Sequence, residues 1–141
     1  MINVPRARDV MVSSVITIQQ NLSIYKAIDV LITNEISGAP VVDNSGNLVG
    51  IISEKDCLKL VSKGINNALP KEGEPVSVFM TKNVETIPPD MDMFFIAGIF
   101  LRSNYRRLPV VENGKLIGQV SRVNLLKGIR NYIIEKYNID R

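Results

Sequence analysis

Ser53 and Asp56 have the residue types and the spacing that most resemble a binding site in this sequence. The two residues follow a β-rich run at 48–52 and open a run with helical character. The first N–H groups of a helix lack intrahelical partners and lie at the positive end of its dipole, so they favour a phosphate, and the Ser53 hydroxyl adds a donor. A carboxylate three residues later can accept two hydrogen bonds from neighbouring hydroxyl groups. The same spacing also fits a capping box, although that motif prefers Glu or Gln at its fourth position.

The residue composition excludes most kinds of catalytic site. The sequence has no His and a single cysteine, Cys57, so it cannot form an internal disulfide, a Cys/His zinc site or a histidine-based acid–base pair. It also lacks a loop ending in Gly-Lys-Ser/Thr and a pair of catalytic carboxylates. We therefore expect a protein that is not an enzyme and that requires no metal or cofactor.

The charged residues show a small basic excess, and that excess lies in the second half of the chain. Residues 1–75 hold 7 basic and 8 acidic side chains, whereas residues 76–141 hold 10 and 6. A nucleic-acid-binding surface usually has a denser basic stripe, so this surplus suits a small anion as well. Binding to nucleic acid remains an alternative.

Length and hydropathy indicate a soluble globular protein. The 141 residues are 45% apolar and 22% charged, which suits one compact domain or two small ones that share a core. The N-terminus reaches charged residues before any long apolar stretch, so we expect no signal peptide. The longest apolar window, residues 93–101, is about half of the ~20 residues that a membrane span needs. These features predict a cytoplasmic protein.

The sequence repeats itself with a displacement of 69 residues. The matched pairs are Met11 with Met80, residues 15–18 (VITI) with 84–87 (VETI), and residues 39–43 (APVVD) with 108–112 (LPVVE). One deletion then changes the displacement to 68, which aligns residues 46–50 with 114–118 and Asp56 with Asn124. An internal repeat of this kind predicts two related structural units.

Each repeat predicts the order strand, helix, strand, hairpin turn, strand, helix. Apolar residues at i, i+3, i+4, i+7 and i+8 predict the buried face of one helix per repeat. They are Ile24, Ala27, Ile28, Leu31 and Ile32 in the first repeat, and Met93, Ile96, Ala97, Phe100 and Leu101 in the second. Turn residues at 43–46 and 112–114 predict the hairpins. The closing helices are expected at about 54–63 and 122–137.

The predicted fold class is α/β, of the α+β kind, with two β-α-β-β-α motifs. The first domain is predicted at 1–75, with its motif at about 9–64 and a linker at 65–75, which is rich in Asn, Pro and Gly. The second domain is predicted at 76–141, with its motif at about 78–137. Because neither half could build much of a core alone, we expect the two to pack face to face with pseudo-twofold symmetry.

These segments also resemble a known protein family. The resemblance rests on their order, spacing and duplication taken together. The first copy consists of residues 9–11, 15–18, 37–43, 46–53 and Asp56, and the second consists of residues 78–81, 84–87, 107–112, 114–118, Ser121 and Asn124. They resemble the cystathionine β-synthase (CBS) domain, and the chain is identified as a tandem CBS pair, or Bateman module. The resemblance covers nearly the whole chain, so we expect no attached enzyme or channel domain.

The resemblance implies a regulatory module that binds AMP, ADP, ATP or S-adenosylmethionine in clefts between the two motifs. It also implies a homodimer formed through helices, and a regulated partner protein whose identity is unknown. Bound ligand would change the angle between the motifs or the dimer surface and so alter that partner.

The resemblance further implies nucleotide-binding residues in the first repeat. Ser53 would hold a phosphate, and Asp56 would accept hydrogen bonds from the ribose 2′ and 3′ hydroxyl groups. The adenine ring would lie against extended backbone and small side chains, which without a ligand would be plain strand and turn residues. These are Thr17, Ser37, Gly38, Ala39 and Pro40.

The second repeat departs from the family at the ribose position. Its matched residues are Thr86, Arg106, Arg107, Leu108, Pro109, Ser121 and Asn124. Arg106 and Arg107 suit the phosphate contacts that basic residues often make here in the family, although a solvated charge pair is equally consistent. Asn124 replaces the ribose Asp, and a neutral amide is a weaker acceptor. We therefore expect unequal sites, with the one at Asp56 the tighter.

One helix is apolar on more than one face, through Met93, Phe94, Phe95, Ile99 and Phe100. This pattern predicts either burial on two sides or a homodimer contact centred on Phe94, Phe95 and Ile99. A structural dimerisation module that binds no ligand is therefore a competing interpretation, beside the nucleic-acid-binding one.

Overall fold

The computed structural model describes residues 2–62 and 69–139, and the chain divides into two compact units. The first-repeat unit comprises Ile16–Val84, and the second-repeat unit comprises Met1–Val15 together with Glu85–Arg141. Both are mixed α/β units with a small sheet. In chain order the elements are α1 (Ala7–Val10), β1 (Ile18–Gln19), α2 (Ile24–Thr33), β2 (Gly38–Val42), β3 (Leu48–Ser53), α3 (Glu54–Leu58), a 3-10 helix (Val76–Val78), α4 (Met93–Arg102), β4 (Arg107–Glu112), β5 (Lys115–Ser121) and α5 (Arg122–Tyr137).

Each sheet is built on the hairpin that the repeat predicts. In the first-repeat unit, β1 runs parallel to β2, and β2 pairs antiparallel with β3. In the second-repeat unit, β4 pairs antiparallel with β5. The predicted strand at 84–87 is reduced there to a parallel bridge between Ile87 and Val110. The predicted element order is therefore confirmed in the first repeat, and the second repeat lacks only a full opening strand.

The two hairpin turns differ by one residue, as the shift in displacement from 69 to 68 requires. In the longer turn, Asp43 Oδ1 accepts hydrogen bonds from the N–H groups of Ser45 and Asn47, both at 2.9 Å. In the shorter turn, Asn113 and Gly114 have φ values of 51° and 81°. Two successive positive φ angles are what a two-residue type I′ turn needs.

Helices α2 and α4 begin at side-chain caps and bury most of the predicted face. Ser23 and Asp92 accept hydrogen bonds from N–H groups of the first helical turn. The buried members of the predicted faces are Ile24, Ala27, Leu31, Met93, Ile96 and Phe100. The last predicted position is wrong in both helices, since Ile32 is 69% exposed and Leu101 is 88% exposed. A residue eight places on is rotated by about 80° from the first, and here it also lies in the last turn.

Helix α5 has the predicted bounds, whereas α3 is shorter than predicted. Helix α3 ends at Leu58. Its predicted end, near residue 63, lies outside the described residues. The N–H groups of Leu60 and Val61 bond to carbonyl oxygens three residues earlier, at 3.1 and 3.2 Å. These 3-10-type turns end the α-helical geometry. The predicted linker also falls partly outside the described residues, because only residues 69–75 of it are described.

The two units exchange the segments that begin the repeats. Val12 opens the first repeat but belongs to the second-repeat unit, where it pairs with Gln119 of β5. Thr81 opens the second repeat but belongs to the first-repeat unit, where it pairs with Ile51 of β3. The predicted boundary at 75/76 thus separates the sequence repeats, while each compact unit draws on both.

Each unit encloses a hydrophobic core of its own. The buried residues are Ile18, Ile24, Ala27, Leu31, Ala39, Val41, Ile52 and Val76 in the first-repeat unit, and Ala7, Ile87, Met93, Ile96, Ile99, Phe100, Leu108, Val110, Val120 and Leu125 in the second. Val76 and Ala7 are 69 residues apart and are both fully buried. Each comes from the other repeat, so neither core is complete without an exchanged residue.

Candidate functional site

Asp56 is 7% exposed and lies at the junction between β3 and α3. Its Oδ2 accepts hydrogen bonds from the N–H and the hydroxyl of Ser53, both at 3.0 Å. Its Oδ1 accepts one from the hydroxyl of Thr81 at 3.1 Å. The Ser53 hydroxyl in turn accepts from the Asp56 N–H at 3.2 Å, so the capping box that the sequence left open is present. A carboxylate has about four lone-pair directions, so about one remains for a ligand.

The N-terminus of α3 has fewer free N–H groups than the sequence suggested. The Glu54 N–H donates to the Ser37 carbonyl oxygen at 2.8 Å, and the Asp56 N–H donates to Ser53. The helix also has only five residues, so its dipole is small. The Ser53 hydroxyl also donates its proton to Asp56, so a phosphate here would depend mainly on nearby cations.

Pairing between β2 and β3 brings three of the predicted residues together. Gly38 lies opposite Ser53 in the register, and Ser37 accepts the hydrogen bond from the first residue of α3. A Cβ atom at position 38 would lie 3.2 Å from the carbonyl oxygen of Ile52. The glycine therefore keeps the backbone open beside the capping box.

The other predicted adenine-slot residues can contribute only in part. The side chains of Ala39 and Pro40 are buried, and Ala39 belongs to the core, so only backbone atoms of these two could face a ring. Thr17 is exposed and directly precedes β1.

The second repeat reproduces this junction around Ser121. Arg107 lies opposite Ser121 in the register, and the Arg122 N–H donates to the Arg106 carbonyl oxygen at 3.2 Å. Leu108 and Pro109 have buried side chains, and Thr86 is exposed. Arg106, Arg107 and Ser121 therefore meet at a second strand-to-helix junction in the same way.

Asn124 forms a capping box like that of Asp56, with a neutral amide in place of the carboxylate. Its Oδ1 accepts from the Ser121 N–H at 2.9 Å, and its own N–H donates to the Ser121 hydroxyl at 3.0 Å. Val12, which has no hydroxyl, stands where the first-repeat unit has Thr81. Sequence reasoning missed Thr81, although the match of Met11 with Met80 in the preceding position was a signal for it.

The arginines of the second repeat have different environments. No carboxylate among residues 2–62 and 69–139 forms an ion pair with Arg106 or Arg107. Arg122, which the sequence did not single out, donates from Nε to the Tyr105 carbonyl oxygen at 2.9 Å and lies 5.7 Å from the centroid of the Phe100 ring. Arg122 therefore has a structural role, while the other two guanidinium groups are available to an anion.

A cavity of about 410 Å³ lies within the first-repeat unit beside Asp56. It is lined by Asp56, Lys59, Leu60, Leu69, Pro70, Lys71, Glu74, Val78 and Phe79. The volume is within the range of about 300–1,000 Å³ that is typical of ligand pockets. Only Asp56 belongs both to this cavity and to the predicted nucleotide-binding set.

Cys57, next to Asp56, does not have the properties of a nucleophile. Burial, and to a smaller degree the Asp56 carboxylate, raise the pKa of its thiol, so the neutral form predominates at pH 7. The side chain packs against the first-repeat core. In the described part of the chain, His, Cys, Asp and Glu residues form no cluster that could hold a metal ion.

Both repeats match the same known protein family. The CBS domain family matches residues 7–63 and 76–131, once for each repeat. The chain belongs to the CBS domain family. An uncharacterized protein of Methanocaldococcus jannaschii is 31% identical over 126 residues, which are 89% of this chain and 43% of that protein. The chain spans 14% to 43% of the length of three curated relatives with CBS-type similarity.

Two solved CBS-domain structures with bound ligands resemble the chain. CBSX2 in complex with AMP has a TM-score of 0.75 and 27% identity over 89% of this chain and 96% of its own. The CBS domain pair of protein MJ0100, in complex with 5′-methylthioadenosine and S-adenosyl-L-methionine, has a TM-score of 0.73 and 27% identity over 92% and 98%. Within the described ranges of the present CBS pair, no helix is both long and apolar enough to cross a bilayer.

Proposed function

We propose that this CBS pair is a regulatory module that binds an adenine nucleotide, with AMP as the leading candidate, and acts on a partner protein. The observation that carries the proposal is the buried Asp56 carboxylate at a strand-to-helix junction, with one hydrogen-bonding position left. Related CBS pairs have been solved with AMP and with S-adenosyl-L-methionine, and all of these ligands contain a ribose and an adenine. ADP, ATP and S-adenosylmethionine remain competing ligands.

Each junction would bring its own residues to binding. Asp56 would accept hydrogen bonds from the ribose, and the open backbone at Ser37 and Gly38 would admit the ring. At the second junction, Arg106 and Arg107, which have no ion-pair partner among the described residues, would supply positive charge for a phosphate bound there. None of these groups performs a reaction, so the proposed role is sensing rather than catalysis, and it requires no cofactor.

AMP should raise the melting temperature of the protein. A ligand that binds only the folded state stabilises it by about 2.7 kcal/mol at 100 times its dissociation constant. We expect this stabilisation at millimolar AMP, measured by calorimetry, with CMP at the same concentration as the control. ADP, ATP and S-adenosylmethionine tested in parallel would identify the preferred ligand. The proposal fails if no adenosine ligand shifts the melting temperature at millimolar concentration, and salt-dependent RNA binding in that case would favour the nucleic-acid alternative.

We also propose that the CBS pair forms a homodimer, because α4 and α5 leave large apolar side chains uncovered. Phe94, Phe95, Leu101 and Leu126 are 62%, 69%, 88% and 61% exposed. Ile99 is 5% exposed and packs in the core, so its predicted place in the dimer contact is wrong. Several large apolar side chains left exposed on two packed helices often mark an association site.

Phe95→Glu should convert the protein to a monomer at micromolar concentration. The substitution would place a charge in the apolar contact, where its desolvation is unfavourable. Multi-angle light scattering measures the effect, and Val78→Glu is the control because Val78 is 63% exposed but lies in the first-repeat unit. A wild-type monomer across the micromolar range, or a Phe95→Glu dimer as strong as the wild type, would contradict this interface.

A further inference from the structure

Thr81 occupies an acceptor position on Asp56 that a ribose would need. The Thr81 hydroxyl donates to Oδ1 at 3.1 Å, while Ser53 uses two positions on Oδ2 at 3.0 Å each. With about four lone-pair directions on a carboxylate, about one is left. A ribose offers two adjacent hydroxyl groups, so both can bind only if an existing hydrogen bond is given up.

The Thr81 bond is the one that can be given up at least cost. The bond from the Ser53 N–H belongs to the capping box that begins α3, so losing it would disturb the helix start. The Ser53 hydroxyl cannot move away from Oδ2 either, because its oxygen also accepts the hydrogen bond from the Asp56 N–H. Thr81 is exposed, so its released hydroxyl can bind water. Its backbone stays in place, because its N–H and carbonyl bond to Ile51 at 2.8 and 2.9 Å. Release therefore needs only rotation about χ1 of one side chain.

We propose that Thr81 sets the affinity and the ribose selectivity of the Asp56 site by competing with the ligand for the carboxylate. In the free protein its hydroxyl stands in for one ribose hydroxyl, and it turns away when both ribose hydroxyl groups bind. This inference rests on the proposed nucleotide-binding function. The junction in the second-repeat unit has no such competitor, because Val12 stands at the equivalent place.

Competition between Thr81 and the ribose for Asp56 predicts a specific pattern of ligand preference. In the wild type, the second ribose hydroxyl replaces the Thr81 bond, so it adds little net affinity. AMP and 2′-deoxy-AMP should therefore bind within about threefold of each other, since a replaced hydrogen bond contributes little net free energy. Without the Thr81 hydroxyl, both ribose hydroxyl groups gain new bonds, and the preference for AMP should grow.

The test is a calorimetric titration of AMP and 2′-deoxy-AMP into wild type, Thr81→Val and Thr81→Ser. Valine has nearly the shape of threonine but no hydroxyl, so we expect Thr81→Val to bind AMP about tenfold more tightly, the equivalent of about 1.4 kcal/mol. Its ratio of deoxy-AMP to AMP dissociation constants should rise to about tenfold. Thr81→Ser keeps the hydroxyl and should match the wild type. Val12→Thr, in the second-repeat unit, is the matched control and should leave these values unchanged at the Asp56 site.

Each outcome decides the inference. If Thr81→Val binds AMP no more tightly than the wild type and with the same ratio, Thr81 does not compete. If it binds AMP more weakly, Thr81 supports the ligand directly, and the inference is again wrong. If no variant binds either nucleotide, this inference fails, and the proposed function fails with it when ADP, ATP and S-adenosylmethionine also leave the melting temperature unchanged. Should Thr81→Val not fold, Thr81→Ala compared with Thr81→Ser gives the same test.

Discussion

Asp56→Asn should weaken the tightest AMP-binding event by about tenfold while the protein stays folded. Hydrogen bonds to a charged group contribute about 1.5–3 kcal/mol, against about 0.5–1.5 kcal/mol between neutral groups, and about 1.4 kcal/mol corresponds to a factor of ten. The fold should tolerate the change, because Asn124 already forms the same capping box, with Oδ1 accepting from Ser121 at 2.9 Å. Calorimetric titration measures affinity, and a melting curve without ligand checks the fold.

The reciprocal variant, Asn124→Asp, is the matched experiment. It introduces a carboxylate into the second junction without altering the capping geometry, and Val12 does not compete for it. We therefore expect AMP binding at the weaker site to become tighter by about the same factor of ten. If Asp56→Asn leaves the tightest event unchanged while Asn124→Ala removes it, the dominant site lies in the second repeat, and our assignment is wrong.

The repeat in the sequence predicted most of the fold, because it contained the same evidence twice. Two hairpins, two amphipathic helices and the bounds of α5 followed from periodicity and turn residues. The errors at Ile32 and Leu101 are the same error in both copies, since spacing alone does not tell where a helix stops covering the core. Ile99 shows the converse, an apolar residue outside the predicted stripe that is buried.

The candidate site was only partly predictable, because local spacing does not reveal contacts across the chain. The Ser53 and Asp56 pair was visible as a motif, and both of its interpretations, ligand binding and capping, remained open. Thr81 lies 25 residues from Asp56, and it reaches the carboxylate only because the segment that opens the second repeat pairs with β3. Sequence repeats indicate which residues are equivalent, but they do not indicate that two units exchange their opening segments.

The exchange of segments predicts that Gly50→Ala and Gly118→Ala destabilise the protein, whereas Gly98→Ala does not. A Cβ atom at Gly50 would lie 2.6 Å from Met80 Sδ and 2.8 Å from the Thr81 carbonyl oxygen. One at Gly118 would lie 2.5 Å from Met11 Sδ and 3.0 Å from the Val12 carbonyl oxygen. Gly50→Ala must displace the backbone at Thr81, whereas Gly118→Ala must displace the Met11 side chain and crowds the Val12 carbonyl. Overpacking of this kind costs about 1–3 kcal/mol.

Gly98→Ala is the control, and it should stabilise the protein. Gly98 lies inside α4, and an added Cβ would meet only Arg102 Nη1, at 3.7 Å. In a helix interior, alanine is more favourable than glycine by about 0.8–1 kcal/mol. The melting temperature of the Gly98→Ala variant should therefore rise by about 3–4 °C. Gly50→Ala and Gly118→Ala should each lower it by at least that much. All three substitutions add one methyl group, but only those at Gly50 and Gly118 place it against Met80 or Met11. An increase for Gly50→Ala comparable to that for Gly98→Ala would mean that residues 80–81 do not pack on β3 in solution.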